Sequence, residues 1–112
     1  MNDIYECFVD EVLLVEAMQN YVQLTVISNG QADRVMLRQT ISSIYKQLQS
    51  NDADYVLRCH RSYLVNLDKI SQVSGNAQGL KLSFDGLEDV LVPVSRSYIA
   101  EFKQAMANAT RP

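Results

Sequence analysis

The run Tyr21-Val22-Gln23-Leu24-Thr25-Val26-Ile27, with Ser28-Asn29-Gly30-Gln31 and then Arg34-Val35-Met36-Leu37 behind it, decides the fold class. The first run alternates in polarity and is rich in β-branched side chains, as a half-buried strand requires. Asn-Gly tolerates positive φ at both central positions of a tight turn, so the chain is expected to reverse there into a strand over Arg34 to Leu37. The nucleus of the fold is an antiparallel hairpin.

Working outward, residues 4–8 and Val12 to Val15 read as further short strands. Beyond the hairpin, Thr40 is placed to cap a helix whose Ile41, Ile44, Tyr45 and Leu48 share one face. Ser50-Asn51-Asp52 ends that helix in a polar loop. Strand character returns at Tyr55 to Leu57, in the short apolar stretch Ser62 to Asn66, and again at Ile70 to Ser74. Gly75 to Gly79 is expected to turn the chain into Leu80 to Phe84, and Asp85-Gly86 to turn it into Val90 to Val92. A last helix is expected from near Ser95, burying Ile99, Phe102 and Met106, with Asn108 to Pro112 as a disordered tail. Strands outnumber helices and come as hairpins, so the fold is mainly β and antiparallel.

A chain of 112 residues that is 47% apolar makes one ordinary domain and needs no disulfide or metal staple. It contains no apolar run of the length a membrane span requires, and its first residues lack a signal-peptide pattern, so a cytoplasmic domain without membrane contact is expected. Cys7 and Cys59 have no partner at metal-ligand spacing and read as reduced, packed thiols. The alternative is a redox-sensitive Cys59, its pKa lowered by Arg58, His60 and Arg61. With one histidine, four glycines and no phosphate-loop spacing, no enzyme, metal or cofactor is expected; Asp85, Glu88 and Asp89 read as a solvated turn.

The segment Arg58-Cys59-His60-Arg61-Ser62-Tyr63-Leu64-Val65-Asn66 stands apart. Its guanidiniums cannot be buried unpaired. Either they are matched internally, with Asp54 or Asp68, or they project toward an anionic ligand. An Arg fork suits duplex DNA because it bonds guanine or phosphate in bidentate fashion. Arg96, in Pro93-Val94-Ser95-Arg96-Ser97-Tyr98, would fall in the first turn of a helix capped by Ser95, where a cation opposes the helix dipole. It therefore needs a compensating partner, either Glu101 or a DNA group. Against nucleic acid stands the formal charge of −3, with a pI near 5.0. The sign is unevenly spread, however: the first Lys or Arg is Arg34, after Asp3, Glu6, Asp10, Glu11, Glu16 and Asp33.

Three pieces together, Val15-Glu16-Ala17 with Asn20-Tyr21-Val22, the Arg58-x-His60-Arg61-Ser62-Tyr63-Leu64-Val65-Asn66 segment and Pro93-Val94-Ser95-Arg96, resemble the LytTR-type DNA-binding domain of bacterial response regulators. The resemblance runs from about Ile4 to about Met106, and the His-Arg-Ser-Tyr-Leu-Val-Asn piece carries most of its specificity. It implies an elongated stack of small antiparallel sheets forming one domain over residues 1–107, with a short mid-chain helix and a C-terminal one. It also implies sequence-specific binding of duplex DNA by loops in successive major grooves. Two copies on tandem half-sites, a dimer on DNA and a receiver or sensor domain in the full-length protein come with it.

Carried over by position, the DNA-facing residues would be Gln19, Asn20 and Tyr21 in one loop, Arg61 with His60, and Arg96. His60 is expected to support its loop through a ring hydrogen bond to backbone, direct contact being the alternative. Asn66 is expected to tie its own turn. Three features depart from the family. The first strand is short enough to be clipped, no receiver is present, and Gln19 stands where members often carry glycine. The acidic first third also leaves a second reading, a protein-interaction module of the same fold that has lost DNA binding.

Overall fold

The turn at Asn29-Gly30 forms with both residues at positive φ, 55° and 77°. Cross-strand register then runs unbroken from Ser28↔Gln31 to Val22↔Leu37. The computed structural model describes residues 11–50, 55–76 and 78–109, apart from the side chains at 28, 88 and 109. The strand expected over 4–8, and Cys7 with it, lies outside the described residues.

The element order is β1 (Val12–Met18), β2 (Tyr21–Ser28), β3 (Gln31–Leu37), α1 (Ile41–Ser50), β4 (Val56–His60), β5 (Tyr63–Asn66), β6 (Ile70–Asn76), β7 (Gly79–Phe84), β8 (Leu87–Val94) and α2 (Ile99–Ala109). Short 3₁₀ turns, Leu67–Lys69 and Arg96–Tyr98, precede β6 and α2. The strands make a five-stranded sheet ordered β3-β2-β1-β5-β4 and a three-stranded sheet ordered β6-β7-β8, antiparallel throughout. The fold is mainly β, as expected.

The larger sheet is the middle layer. On one face Val15, Val22, Leu24, Val56 and Leu64 pack against Ile41 and Ile44 of α1. On the other, Leu13, Leu14, Cys59 and Val65 pack against Leu82, Phe84, Val92 and Val94 of the smaller sheet and Ile99 and Phe102 of α2. A strand covered on both faces reads as a continuous apolar run, and Val12-Leu13-Leu14-Val15 is one. A bulge between Val12 and Leu14 lets neighbouring Leu13 and Leu14 serve the same face. Each such side chain fully withdrawn from water contributes roughly 1.5–3 kcal/mol.

Some boundaries differ from the sequence expectation. β1 continues past Val15 to Met18, and β6 runs through Gly75 and Asn76, which were expected in the turn. Gly75 sits at φ 114°, where an added Cβ would run into the Gly79 carbonyl oxygen. That close approach, rather than a loop, is why glycine is there. Asn108 and Ala109, expected in a disordered tail, complete the last turn of α2. Ser95 makes no side-chain cap; it is extended (φ −73°, ψ 158°) and leads into the 3₁₀ turn. Arg96 therefore lies before α2, and the expected conflict with that helix's dipole does not arise.

Candidate nucleic-acid interface

Strand order and register decide where the loops gather. Met18 pairs with Tyr21 across the β1–β2 turn, and Glu16 pairs with Tyr63 at the start of β5. The β1–β2 turn (Gln19, Asn20) and the β4–β5 turn (Arg61, Ser62) therefore lie side by side at one end of the five-stranded sheet. A hydrogen bond from the Ala17 amide to the Ser62 carbonyl, 2.8 Å, fastens one to the other. Arg96 joins them because the Ser95 amide donates to the Cys59 carbonyl of β4 at 3.0 Å. The positions singled out in sequence, spread over nearly 80 residues of chain, thus meet at one rim.

In the first turn Gln19 and Asn20 are exposed. Gln19 adopts φ 41°, the left-handed region that glycine enters without a Cβ penalty. Tyr21 is 37% exposed. Its hydroxyl accepts a 3.0 Å bond from Nη2 of Arg38, whose guanidinium lies 5.3 Å from the ring centroid. Arg38 is not among the candidates marked in the sequence, although a signal for it is present. Extending the register set by Asn29-Gly30 one step beyond Val22↔Leu37 puts residue 38 beside residue 21.

The β4–β5 turn is fastened from several sides. The Ser62 amide donates to Nδ1 of His60 at 3.0 Å, which assigns the neutral ring's proton to Nε2. The His60 ring meets Tyr63 edge-on, centroids 5.5 Å apart, and the Tyr63 hydroxyl donates to Glu16 Oε2 at 3.3 Å. Burial first, then the Glu16 carboxylate, raises the Tyr63 pKa. Arg58 Nη2 donates to the Arg61 carbonyl at 2.8 Å, and its Nη1 approaches Ser42 Oγ at 3.4 Å. The internal ion pair considered for Arg58 is not formed with Asp68, which follows β5 at the far end of the sheet; Asp54 lies outside the described residues. Arg58 bonds neutral groups instead, and its Nε is buried without a hydrogen bond.

Arg61 itself is held by its backbone while its side chain is exposed. Arg96 is likewise exposed. Among the described residues neither guanidinium has a hydrogen-bond or ion-pair partner, and the pairing of Arg96 with Glu101 is not made. Cys59 is wholly buried, its thiol facing the Pro93 carbonyl at 3.6 Å. Burial pushes its pKa up to about 12, opposite to the activated thiolate that three neighbouring basic residues suggested. Among the described residues no cluster of His, Cys, Asp or Glu could hold a metal, and no helix is long and apolar enough to cross a membrane.

The acidic net charge is compatible with this rim because the local balance there is positive. Arg38, Arg58, Arg61 and Arg96 lie at the rim. Glu16 lies next to the rim beside Tyr63, while Glu11 before β1, Asp33 early in β3 and Asp68 after β5 lie at the opposite end of the same sheet together with Arg34 and Lys69. The rim can present a positive field although the whole chain is negative.

The family model for the LytTr DNA-binding domain matches residues 2–107. A solved structure, the LytTr DNA-binding domain of a protein described as a methyl-accepting/DNA response regulator from Bacillus cereus, aligns with a TM-score of 0.69 at 23% identity. The alignment covers 86% of this chain and 81% of that one. No curated protein matches the chain.

Proposed function

The chain belongs to the LytTr DNA-binding domain family, and from that premise we propose that it binds duplex DNA sequence-specifically as the output domain of a bacterial transcription regulator. The observation that carries this reading is the convergence of Gln19-Asn20, Arg61 and Arg96 on one rim, with the last two guanidiniums exposed and unmatched among the described residues. A guanidinium carried on a backbone fixed at the sheet end offers paired donors to guanine O6 and N7 or to a phosphate, with only its side chain left to order on binding. The Gln19-Asn20 turn supplies amide groups suited to adenine. His60 acts from behind, its ring accepting the Ser62 amide and so shaping the turn that displays Arg61.

The rim stretches across the sheet from β3 to β4, about four strand spacings or roughly 19 Å. That is more than one major-groove width of roughly 12 Å, enough for the row to cover a groove and the phosphates that flank it. Loops entering successive major grooves, roughly 34 Å apart on one face, would need the reach of the side chains at both ends of the row. Two copies on tandem half-sites, and control by a receiver or sensor domain in the full-length protein, complete the proposal. Selection from a random duplex pool tests it directly. An enriched motif is expected, with Arg61→Ala and Arg96→Ala each costing roughly 1–3 kcal/mol and relaxing preference at separate positions. Log affinity should fall by about 0.9 per contacted phosphate for each tenfold rise in salt. Failure to enrich any motif with both arginines intact would favour the interaction-module reading instead.

A further inference from the structure

Arg38 has an arrangement that packing within the domain does not explain. It is an exposed arginine immediately after β3, yet two contacts fix its head group, the 3.0 Å bond to Tyr21 Oη and the 5.3 Å approach to the Tyr21 ring. An exposed arginine ordinarily loses nothing by remaining mobile, since about 2 kcal/mol of rotamer entropy opposes holding it still. Among the described residues no carboxylate shares it. One of its five N–H donors is engaged by Tyr21, and the others remain available. Its place is also particular. Across the sheet end the order is Arg38 beyond β3, the Gln19-Asn20 turn between β2 and β1, Arg61 between β5 and β4, and Arg96 beside β4. Arg38 and Arg96 bracket the row.

We propose that Arg38, held against Tyr21, is a further DNA-contact residue that binds a backbone phosphate on the outer flank of the interface, beside the Gln19-Asn20 turn. This rests on the DNA-binding reading above. The chemistry favours phosphate over a base edge. Arg38 stands behind the turn rather than at its tip, so where the turn enters a groove Arg38 meets the groove wall, which is sugar and phosphate. Tyr21 is then a platform as much as a contact residue, since it keeps the guanidinium pre-ordered and its own ring against the same wall.

Four proteins, the parent, Arg38→Ala, Arg38→Lys and Tyr21→Phe, with Arg61→Ala as reference, should be titrated against the selected duplex and a scrambled one over a range of salt. Arg38→Ala is expected to weaken both duplexes by the same factor, roughly tenfold, and to reduce the salt slope by about 0.9. Arg38→Lys should keep the parent slope and recover part of the affinity, and Tyr21→Phe should weaken binding a few-fold with the slope kept. Matching melting temperatures confirm that the exposed substitutions leave the fold intact. If Arg38→Ala matches the parent in affinity and slope while Arg61→Ala does not, the Arg38 assignment is overturned and the DNA reading stands. A loss confined to one base position would equally overturn it, making Arg38 a base reader. Parent protein that binds neither duplex removes the DNA reading and this inference together.

Discussion

Cys59 shows how one side chain's chemistry follows from where the chain puts it. Its sequence neighbours are basic and would lower its pKa, but Arg58 reaches Ser42 of α1 and the Arg61 carbonyl while Cys59 is buried in the layer between the two sheets. Desolvation therefore prevails, and the thiol rises from the ordinary 9.0 to about 12. In the unfolded chain Cys59 loses its proton near pH 9; in the folded protein it keeps it until about pH 12. Stability from this group is intact below pH 9 and falls between these values, by at most about 1.4 kcal/mol per pH unit. Urea midpoints measured from pH 8 to 10.5 should decline, and Cys59→Ala should flatten the part of the decline due to the thiol. Cys59 of the folded protein should also resist iodoacetamide at pH 8 until denatured, as read by peptide mapping that separates it from Cys7. At Gln19 backbone conformation dominates instead, since φ 41° at a non-glycine turn residue is kept by the pairing on either side of it.

Between elements, Asn66 joins parts of the chain that no local rule would connect. It was expected to tie its own turn, and it does, its Oδ1 accepting the Asp68 amide at 2.9 Å. Its Nδ2 also donates to the Val12 carbonyl at 2.9 Å, across 54 residues of sequence. With the side chain almost fully buried, truncation leaves both backbone partners unmatched in a dry site. Asn66→Ala should cost about 2–4 kcal/mol of unfolding free energy, read by chemical denaturation. Asn66→Asp retains the acceptor but not the donor to Val12, so it should also destabilise while preserving the 3₁₀ turn. α1 was the more legible element: Thr40 Oγ1 accepts the Ser43 amide at 3.0 Å as a cap, and Ile41 and Ile44 fill the layer beneath. The 3₁₀ turn at Arg96–Tyr98 was not legible. Ser95 is an acceptable cap residue, but it is extended, its amide bonded to the Cys59 carbonyl of β4 and its carbonyl accepting the Tyr98 amide.

For the whole molecule the governing feature is the gathering of four arginines at one end of the five-stranded sheet. Asp33 lies about five residues back from the rim along β3, roughly 16 Å at strand rise. That is about two Debye lengths at physiological salt. Asp33→Asn removes a negative charge from an exposed position, yet at 0.15 M salt it should change duplex affinity by less than about twofold. Arg61→Ala, whose net-charge change has the same size, should cost tenfold or more. The two variants compared in one titration separate local contact from global charge. Equal effects would show that the rim has no special standing.

The sequence by itself determined the hairpin, the polarity of the helices and the segments that become strands, because these depend on turn chemistry and on periodicities of two and 3.6. It also marked Arg61 and Arg96 as charges in need of a partner and, through the family resemblance, Gln19, Asn20, Tyr21 and His60 as candidates. Only the tertiary structure decided that these lie on one rim, because the β1–β5 pairing that aligns their turns joins residues almost fifty positions apart. Tertiary packing likewise gave Arg58 neutral partners and placed Arg38 on Tyr21. Register and burial are fixed by long-range pairing, so a side chain's neighbours in sequence do not reveal the partners its charge will meet.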